Sequence, residues 1–495
     1  MFLYFRQILI MAVSLYTVRV VLAALGEEDY GIYNVVGGFV AMFNILSGAL
    51  SVAISRFITY EMGQLDVTLL RLQRIFSSSL VIQVIMGFII CLLIGTFGVW
   101  FVENKMVIPA DRLNVTLYVL LFSTLSFFIN LLSVPYNALI IAHEQMKAFA
   151  YISIVEAVLK LVVAYLLVVS PLDKLMLYAF CMVIVSLIIR SVYAIYCKRH
   201  FEECRFVWGF DKQLLSKMFV FSGWAFLGNG SFVLKEHGVN ILLNMFCGPS
   251  VNAARGITSQ VTHAVTMFVT NFMQAVNPQI TKSYSSGNLG EMHRLIFKSS
   301  RFSFYLMLIL GLPLMKSIDY ILALWLVTVP DYTAIFIRLL LIFCLMDCIV
   351  QPLMTGLLAE GNIKIYEIVL VILNVSNVVL SYFSLKHGFS PESVYVISII
   401  VEIGIVWSRI WLSGKAYKLP IKYFLEKVFG RILLVALGTG AFAYWLRLSV
   451  GNELYDFLLV SVVIVLFTIS SIYILGLSHD ERSFLLINLK SRLRK

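Results

Sequence analysis

A near-unbroken series of apolar runs, separated by short polar breaks, limits this chain more than any other feature. A hydrocarbon core about 30 Å thick takes roughly 20 helical residues. Inside it each backbone N–H and C=O must be satisfied by the chain itself, which for runs of this length means α-helix. The spans fall near residues 3–25, 30–54, 76–101, 114–140, 149–169, 174–197, 218–246, 252–276, 297–318, 333–358, 363–385, 391–412, 430–449 and 455–477. The expected class is therefore all-α and integral to a membrane, with about fourteen helices and no room for an extramembrane enzyme in 495 residues. Composition agrees: 60% of residues are hydrophobic and 13% charged, against roughly 45–50% and about 25% in soluble domains. The first span runs past a short apolar core without a small-residue cleavage pattern, so it reads as a helix rather than a signal peptide.

The net charge of +11 could indicate a nucleic-acid partner, but its placement is topological. With the amino terminus cytoplasmic, inside loops collect Arg71 and Arg74; Lys198, Arg199, Arg205, Lys212 and Lys217; Lys282, Arg294, Lys298 and Arg301; and Lys415, Lys418, Lys422, Lys427 and Arg431. The tail adds Arg482, Lys490, Arg492, Arg494 and Lys495, while outside loops hold Lys105, Arg112, Lys174, Lys316, Lys386 and Arg447. That asymmetry follows the positive-inside rule with both termini cytoplasmic. The seven cysteines contain no CxxC pair, so neither a disulfide framework nor a zinc site is expected.

The charged connection from Lys198 to Lys217 separates six spans from eight. We divide the chain into a first lobe (1–200), a second (201–420) and two additional helices with a basic tail (421–495). Both lobes open with two helices joined by a very short turn, Gly26 to Asp29 and Gly248 to Val251, and the second helix then leads to a glycine-bearing loop at Gly63 and Gly287. This is a weak internal repeat of the kind transporters build from related bundles.

In lipid, a polar helix face must turn toward protein or a wet cavity. At ~100° per residue, Asn252, Arg255, Ser259, His263, Thr266, Thr270, Gln274 and Asn277 share one face of the eighth span, the strongest such pattern. The seventh aligns Ser222, Asn229, Glu236, Asn240 and Asn244; the fourth, Ser123, Ser126, Asn130, Ser133 and Asn137; the second, Asn44, Ser47, Ser51 and Ser55; the eleventh, Asn374, Asn377, Ser381 and Ser384. For the second and fourth spans, interhelical hydrogen bonding explains the pattern as well as cavity lining does. The eighth is read as cavity-lining.

Ionisable groups at membrane depth cost about 2.5–3.5 kcal/mol each on insertion scales and so mark function or pairing. Glu156 and Lys160, four apart, are expected to neutralise each other. Arg190, Arg409 and Glu367 are near enough to span ends to snorkel. Lys235, Glu236 and His237 sit together before Gly238, which predicts a locally broken or hydrated helix. Arg19, Arg255 and Lys235 would give a lumen a positive lining suited to a diphosphate; the competing reading is that each Arg pairs with an acid such as Asp347 or Glu402. No phosphate-binding GxxxxGK, HExxH, GxSxG or paired-aspartate metal motif occurs, so the chain is not read as an enzyme.

The stretches Arg19 to Gly38, Phe246 to Ile257, Asn271 to Gly287 and Leu324 to Tyr332 resemble the Wzx-type polysaccharide flippases, of the superfamily that also holds multidrug extruders and lipid II flippases. The resemblance implies two six-helix bundles in a V around a central cavity, with two additional carboxy-terminal helices, alternating access, and a bacterial inner-membrane location. The implied cargo is undecaprenyl diphosphate bearing an O-antigen or capsule repeat unit of the lipopolysaccharide or capsule type. By likeness to lipid II flippases, Arg19, Arg56 and Arg255 would be cavity arginines, and the stripe and charge readings above add Lys235, Asn252, Ser259, His263 and Asn277 around the cargo. Glu236, Asn374, Asn377 and Glu402 would form a site for a coupling ion, Na⁺ or H⁺, and no other cofactor is implied. Membrane lipid, a polysaccharide polymerase and a chain-length regulator are the implied partners. The chain starts almost within its first span, without the family's short basic lead, so a start upstream is expected. The alternatives are a cation-coupled multidrug extruder of the same fold and a polytopic polymerase or ligase, which would need a larger outside loop.

Overall fold

The computed structural model describes residues 2–41, 43–64, 66–104, 112–207, 212–326, 329–446, 454–478 and 481–483. The side chains of Asn44, Ser47, Asn244 and Asn252, and residues Lys105, Arg447, Lys490, Arg492, Arg494 and Lys495, lie outside the described set.

Every regular element among the described residues is helical. In chain order these are α1 (Phe2–Ala41), α2 (Asn44–Met62), α3 (Leu69–Leu93), α4 (Val99–Asn104), α5 (Leu113–Leu131), α6 (Val134–Ala142), α7 (Met146–Val169), α8 (Lys174–His200), α9 (Lys212–Cys247), α10 (Pro249–Ser285), α11 (Leu289–Trp325), α12 (Thr333–Glu360), α13 (Lys364–Lys386), α14 (Ser393–Ala416), α15 (Ile421–Phe424), α16 (Gly430–Trp445) and α17 (Leu454–Ser471). Single π-helical turns join α3 to α4, join α15 to α16 and extend α17. Ten spans built from these helices are long and apolar enough to cross a membrane. The protein is a multi-pass membrane protein, and α10 is not among those ten.

Local chemistry explains where helices start and stop. Gly26 (φ 80°, ψ 171°) breaks α1 into two, and Gly248 (φ 85°, ψ 179°) separates α9 from α10 in the same conformation. Only glycine occupies that region readily, so the two lobes begin with the same backbone device. Pro249 follows as the first helical residue of α10, where its missing N–H is no loss. Asp173 caps α8, accepting from the Met176 N–H at 3.0 Å, and Lys198, Arg199 and His200 close that helix at its negative end. Asn288 caps α11 through the Glu291 N–H at 3.1 Å.

Three expectations are corrected. No turn spans Gly26 to Asp29: one glycine makes the whole break and the helix resumes at once, with a second interruption before Asn44. The fourth span is broken at Leu132 and Ser133, where Pro135 in the first turn of α6 has no N–H to give to a continuing helix. Through Lys235 to Gly238, α9 is unbroken. Side-chain partners, described below, satisfy the charges there, so the backbone has no need to open.

The chain packs as two compact units, Met1–Asn229 and Gly230–Lys495. Within the first, α1 lies against α7 and α5, α5 against α8, and α2 against α6 and α3. Its core gathers Val36, Ile90, Ile94, Val119 and Leu131. Within the second, α12 is central, packed on α10, α11 and α14, with α13 against α14 and α17 against α11 and α16. Ile337, Leu341, Val350 and Leu353 of α12 meet Met292, Ile296, Met307 and Ile318 of α11 in that core. Between helices in lipid, close packing of this kind rather than water exclusion drives association.

Candidate functional site

Exposure in a membrane protein means contact with lipid or with water, and the chemistry of the exposed side chains tells which. α7 exposes Tyr151, Val155, Val158, Val162, Tyr165, Leu166 and Val169, the apolar surface a lipid-facing helix needs. α10 is the opposite: Ser259, Gln260, His263 and Thr270 are exposed, and none of its described large apolar side chains is. Its other face, with Thr258, Thr262, Val265, Val269, Met273 and Ile280, is buried in the second unit. Of the stripe expected on the eighth span, Ser259, His263 and Thr270 are exposed, Thr266, Gln274 and Asn277 are half-buried and Arg255 is buried.

The predicted residues on α10 divide by depth. Ser259 and His263 are exposed; Asn277 is half-buried, its Oδ1 accepting from the Thr355 hydroxyl of α12 at 2.9 Å. Arg255 is buried at the edge of the face. Its Nη2 donates to Glu236 Oε2 at 2.9 Å and to the Glu236 carbonyl at 3.2 Å, and the guanidinium lies 5.8 Å from the Tyr395 ring centroid. The side chain of Arg255 is 10% exposed and that of Glu236 is 43% exposed, so the pair reaches the surface through its acid. Of the two readings of Arg255, the structure has pairing with an acid, and the acid is Glu236.

Lys235 of α9 meets aromatic rings rather than an acid at ion-pair distance. It is buried, with its ammonium 5.0 and 4.9 Å from the Phe232 and Phe343 ring centroids. Glu402 is buried within electrostatic reach of Lys235, Asp347 and Arg409. Arg409 Nη1 donates to Asp347 Oδ1 at 2.8 Å and its Nε to the Tyr366 hydroxyl at 3.3 Å. Asp347, Glu402, Lys235 and Arg409 thus form one charged cluster inside the second unit. Arg409 and Glu367 do not snorkel, because both are buried, and Arg409 is paired with Asp347 on α12. Asn374 donates to the Ser231 hydroxyl at 3.0 Å and Asn377 to that of Ser398 at 3.1 Å. Asn377 Oδ1, Ser381 Oγ and Glu402 Oε1 are buried without a hydrogen-bond partner among the described residues. These three acceptor oxygens belong to the helices on which the coupling-ion residues were expected, α13 and α14.

In the first unit, Ser123, Ser126 and Asn130 of α5 line a cavity of about 270 Å³ with Tyr33, Ser186, Glu156 and Lys160. Lys160 Nζ donates to Glu156 Oε1 at 2.6 Å, the expected local neutralisation. Ser133 instead turns back on the Ile129 carbonyl at 3.2 Å, so the fourth-span stripe is part cavity lining and part backbone bonding. Arg56 is half-buried, 4.6 to 5.6 Å from the ring centroids of Phe57, Tyr60 and Phe221. Arg19 is exposed and has no ion pair or hydrogen bond among the described residues. Gln260 on the wet face and Tyr33 and Ser186 in the cavity were missed from sequence. Helical phasing finds Gln260, one residue beyond Ser259, whereas the cavity needs four helices assembled.

The family described as "Polysaccharide biosynthesis protein" matches residues 2–284. No curated protein sequence matches the chain. In fold it is similar to a MATE transporter solved in complex with MaL6 (TM-score 0.72, 13% identity, covering 85% of this chain and 96% of that one). A MOP-superfamily transporter from Pyrococcus furiosus, described as having a binding pocket of reverse polarity, is similar at TM-score 0.71 and 12% identity, covering 86% and 95%. An outward-facing multidrug-resistance MATE transporter gives 0.70 and 14%, covering 85% and 95%. At these identities the likeness is one of fold.

Proposed function

The chain belongs to the polysaccharide biosynthesis protein family, and from that premise we propose that it flips undecaprenyl-diphosphate-linked oligosaccharide repeat units from the cytoplasmic to the periplasmic leaflet of a bacterial inner membrane. The cargo would feed O-antigen, capsule or exopolysaccharide synthesis, handed on to a polymerase and chain-length regulator. The observation that carries this reading is the face of α10, a membrane-length helix that exposes Ser259, Gln260, His263 and Thr270 and no described large apolar side chain. Hydroxyl, amide and imidazole groups suit sugar hydroxyls and would be costly against acyl chains.

The diphosphate needs cations. Arg19 stands without a partner among the described residues, and Arg255 is held by the more exposed Glu236, which an anionic cargo can displace. Arg56 and Lys235 complete the proposed positive set. Release of Glu236 from Arg255 would make its carboxylate available to a coupling Na⁺ or H⁺, with Asn374, Asn377 and Glu402 supplying further oxygens and the ion's gradient driving alternating access. This links cargo and ion through one side-chain exchange.

The test is the double substitution Arg19→Ala/Arg255→Ala, scored by surface polysaccharide with membrane abundance as control. Loss of polysaccharide at normal abundance is expected; normal polysaccharide refutes the anion role. A multidrug extruder of the same fold would instead give an altered drug-susceptibility profile with polysaccharide intact.

A further inference from the structure

The segment leaving α8 toward α9 is fastened to the first unit instead of hanging free. The Phe201 ring stacks on His143 at 4.1 Å between centroids, and the Glu203 carboxylate bonds His143 Nε2. Gln73 donates to the Glu202 carbonyl at 3.1 Å, and the Val207 N–H donates to the Ser77 hydroxyl at 2.9 Å. Burial pushes the Glu203 carboxyl up, but the His143 hydrogen bond, a backbone hydrogen bond and the nearby imidazole together outweigh it and hold the group below its ordinary range. Glu203 is thus committed as an anion to His143.

Beside this strap lies a cavity of about 440 Å³, lined by Phe76, Leu80, Tyr136, Lys198, Arg205 and Phe206. Lys198 and Arg205 are exposed and have no carboxylate within ion-pair distance among the described residues. Tyr136 is buried and accepts from Arg190 Nη2 at 3.0 Å, which leaves its own O–H proton to give to a ligand. A buried hydroxyl with two cations at the mouth and a third behind it is the chemistry of a phosphate site.

The apolar part of the lining identifies the rest of the ligand. From Leu80, the exposed residues Val84, Phe88 and Leu92 continue along α3 at intervals of four, each about half exposed, with Ile85 and Ile89 beside them. At ~1.5 Å per residue this stripe runs about 18 Å from the cavity, long enough to carry much of an acyl chain. Phe206, 46% exposed, forms the apolar lip next to Arg205. Basic loops beside a membrane span attract anionic lipids.

We propose that this cavity is a binding site for an anionic phospholipid, its phosphate held by Lys198, Arg205 and the Tyr136 hydroxyl and one acyl chain lying along the α3 stripe. Occupancy would brace the strap that leads from α8 toward α9. All of its residues belong to the first unit, and the proposal does not rest on the cargo assigned to α10.

Native mass spectrometry of the full-length protein in detergent, with phosphatidylglycerol or phosphatidylcholine added, tests it. The unaltered protein should retain one phosphatidylglycerol and far less phosphatidylcholine. Lys198→Gln/Arg205→Gln should weaken retention about thirtyfold, at ~1 kcal/mol per basic residue near anionic lipid. Arg199→Gln, adjacent but outside the lining, should retain lipid normally, and Phe206→Ala should lose part of it with every charge intact. Should the double variant not fold, Phe206→Ala and the comparison of the two lipids decide. Equal retention by the double variant, equal loss from Arg199→Gln, no preference between lipids, or displacement of the lipid by millimolar inorganic phosphate at constant ionic strength would overturn the proposal.

Discussion

The two units handle membrane-depth charge in different ways. In the first, Glu156 and Lys160 pair at 2.6 Å on a single helix, with side chains 39% and 41% exposed, beside a polar cavity. In the second, the pairs cross between helices, Asp347 of α12 to Arg409 of α14 and Glu236 of α9 to Arg255 of α10, with each arginine side chain only 10% exposed. A pair carried on one helix goes wherever the helix goes. A pair bridging two helices fixes their relation, and opening it strands a desolvated ion unless another charge takes its place. The Glu156–Lys160 pair therefore leaves α7 free to rearrange, while the Asp347–Arg409 and Glu236–Arg255 pairs hold their helices together.

Breaking the Arg409 bridge should give the largest effect. Arg409→Ala leaves Asp347 and the buried Glu402 facing Lys235 alone, and removing one partner of a buried pair costs about 3–5 kcal/mol. The expected result is a large fall in the thermal midpoint of the detergent-solubilised protein. Replacing both partners, Arg409→Leu with Asp347→Leu, should recover most of it, because no ion is then stranded. A midpoint unchanged by Arg409→Ala would mean that the cluster does not clamp α12 to α14.

The next effect concerns what the units share. Gly26 and Gly248 have the same backbone conformation, φ 80° and 85° with ψ near 180°. Alanine at either position should cost about 1–3 kcal/mol, and the two costs should add, since the residues belong to separate units. Melting of the two single variants and the double variant measures this. Unequal single costs would show that the common backbone device is relaxed differently in the two lobes.

Helix existence and the polar residues of the eighth span were legible in the sequence, because apolar run length and helical phasing are local properties, and the family was legible only through the resemblance of four short stretches. So was the Glu156–Lys160 pair, an i,i+4 relation needing only one helix. The partners of Arg255 and Arg409 were not legible as specific pairs. Glu236 and Asp347 lie 19 and 62 positions away from them, and which helices meet is set by packing across the unit. The break expected around Lys235 failed for the same reason, since the Phe343 ring that receives its ammonium comes from another helix. The Gly26 break was placed correctly but drawn too wide, because a single glycine outside the helical region changes direction as well as a turn does.

The smallest expected effect is the sharpest control on the comparison. Glu156→Gln and Lys160→Gln each remove one member of a pair whose side chains are 39% and 41% exposed, and exposed pairs contribute at most about 1 kcal/mol. The survivor keeps the cavity's hydroxyls and amide, Ser123, Ser126, Ser186 and Asn130, as neighbours, so it is not stranded as Asp347 would be. Each single variant should melt within a few degrees of the parent, and the double variant should match the sum less the small coupling that a double-mutant cycle extracts. If either substitution instead lowers the midpoint as far as Arg409→Ala does, the cavity is closed and dry in the working protein. The two units then treat buried charge alike, and the freedom assigned to α7 has no basis.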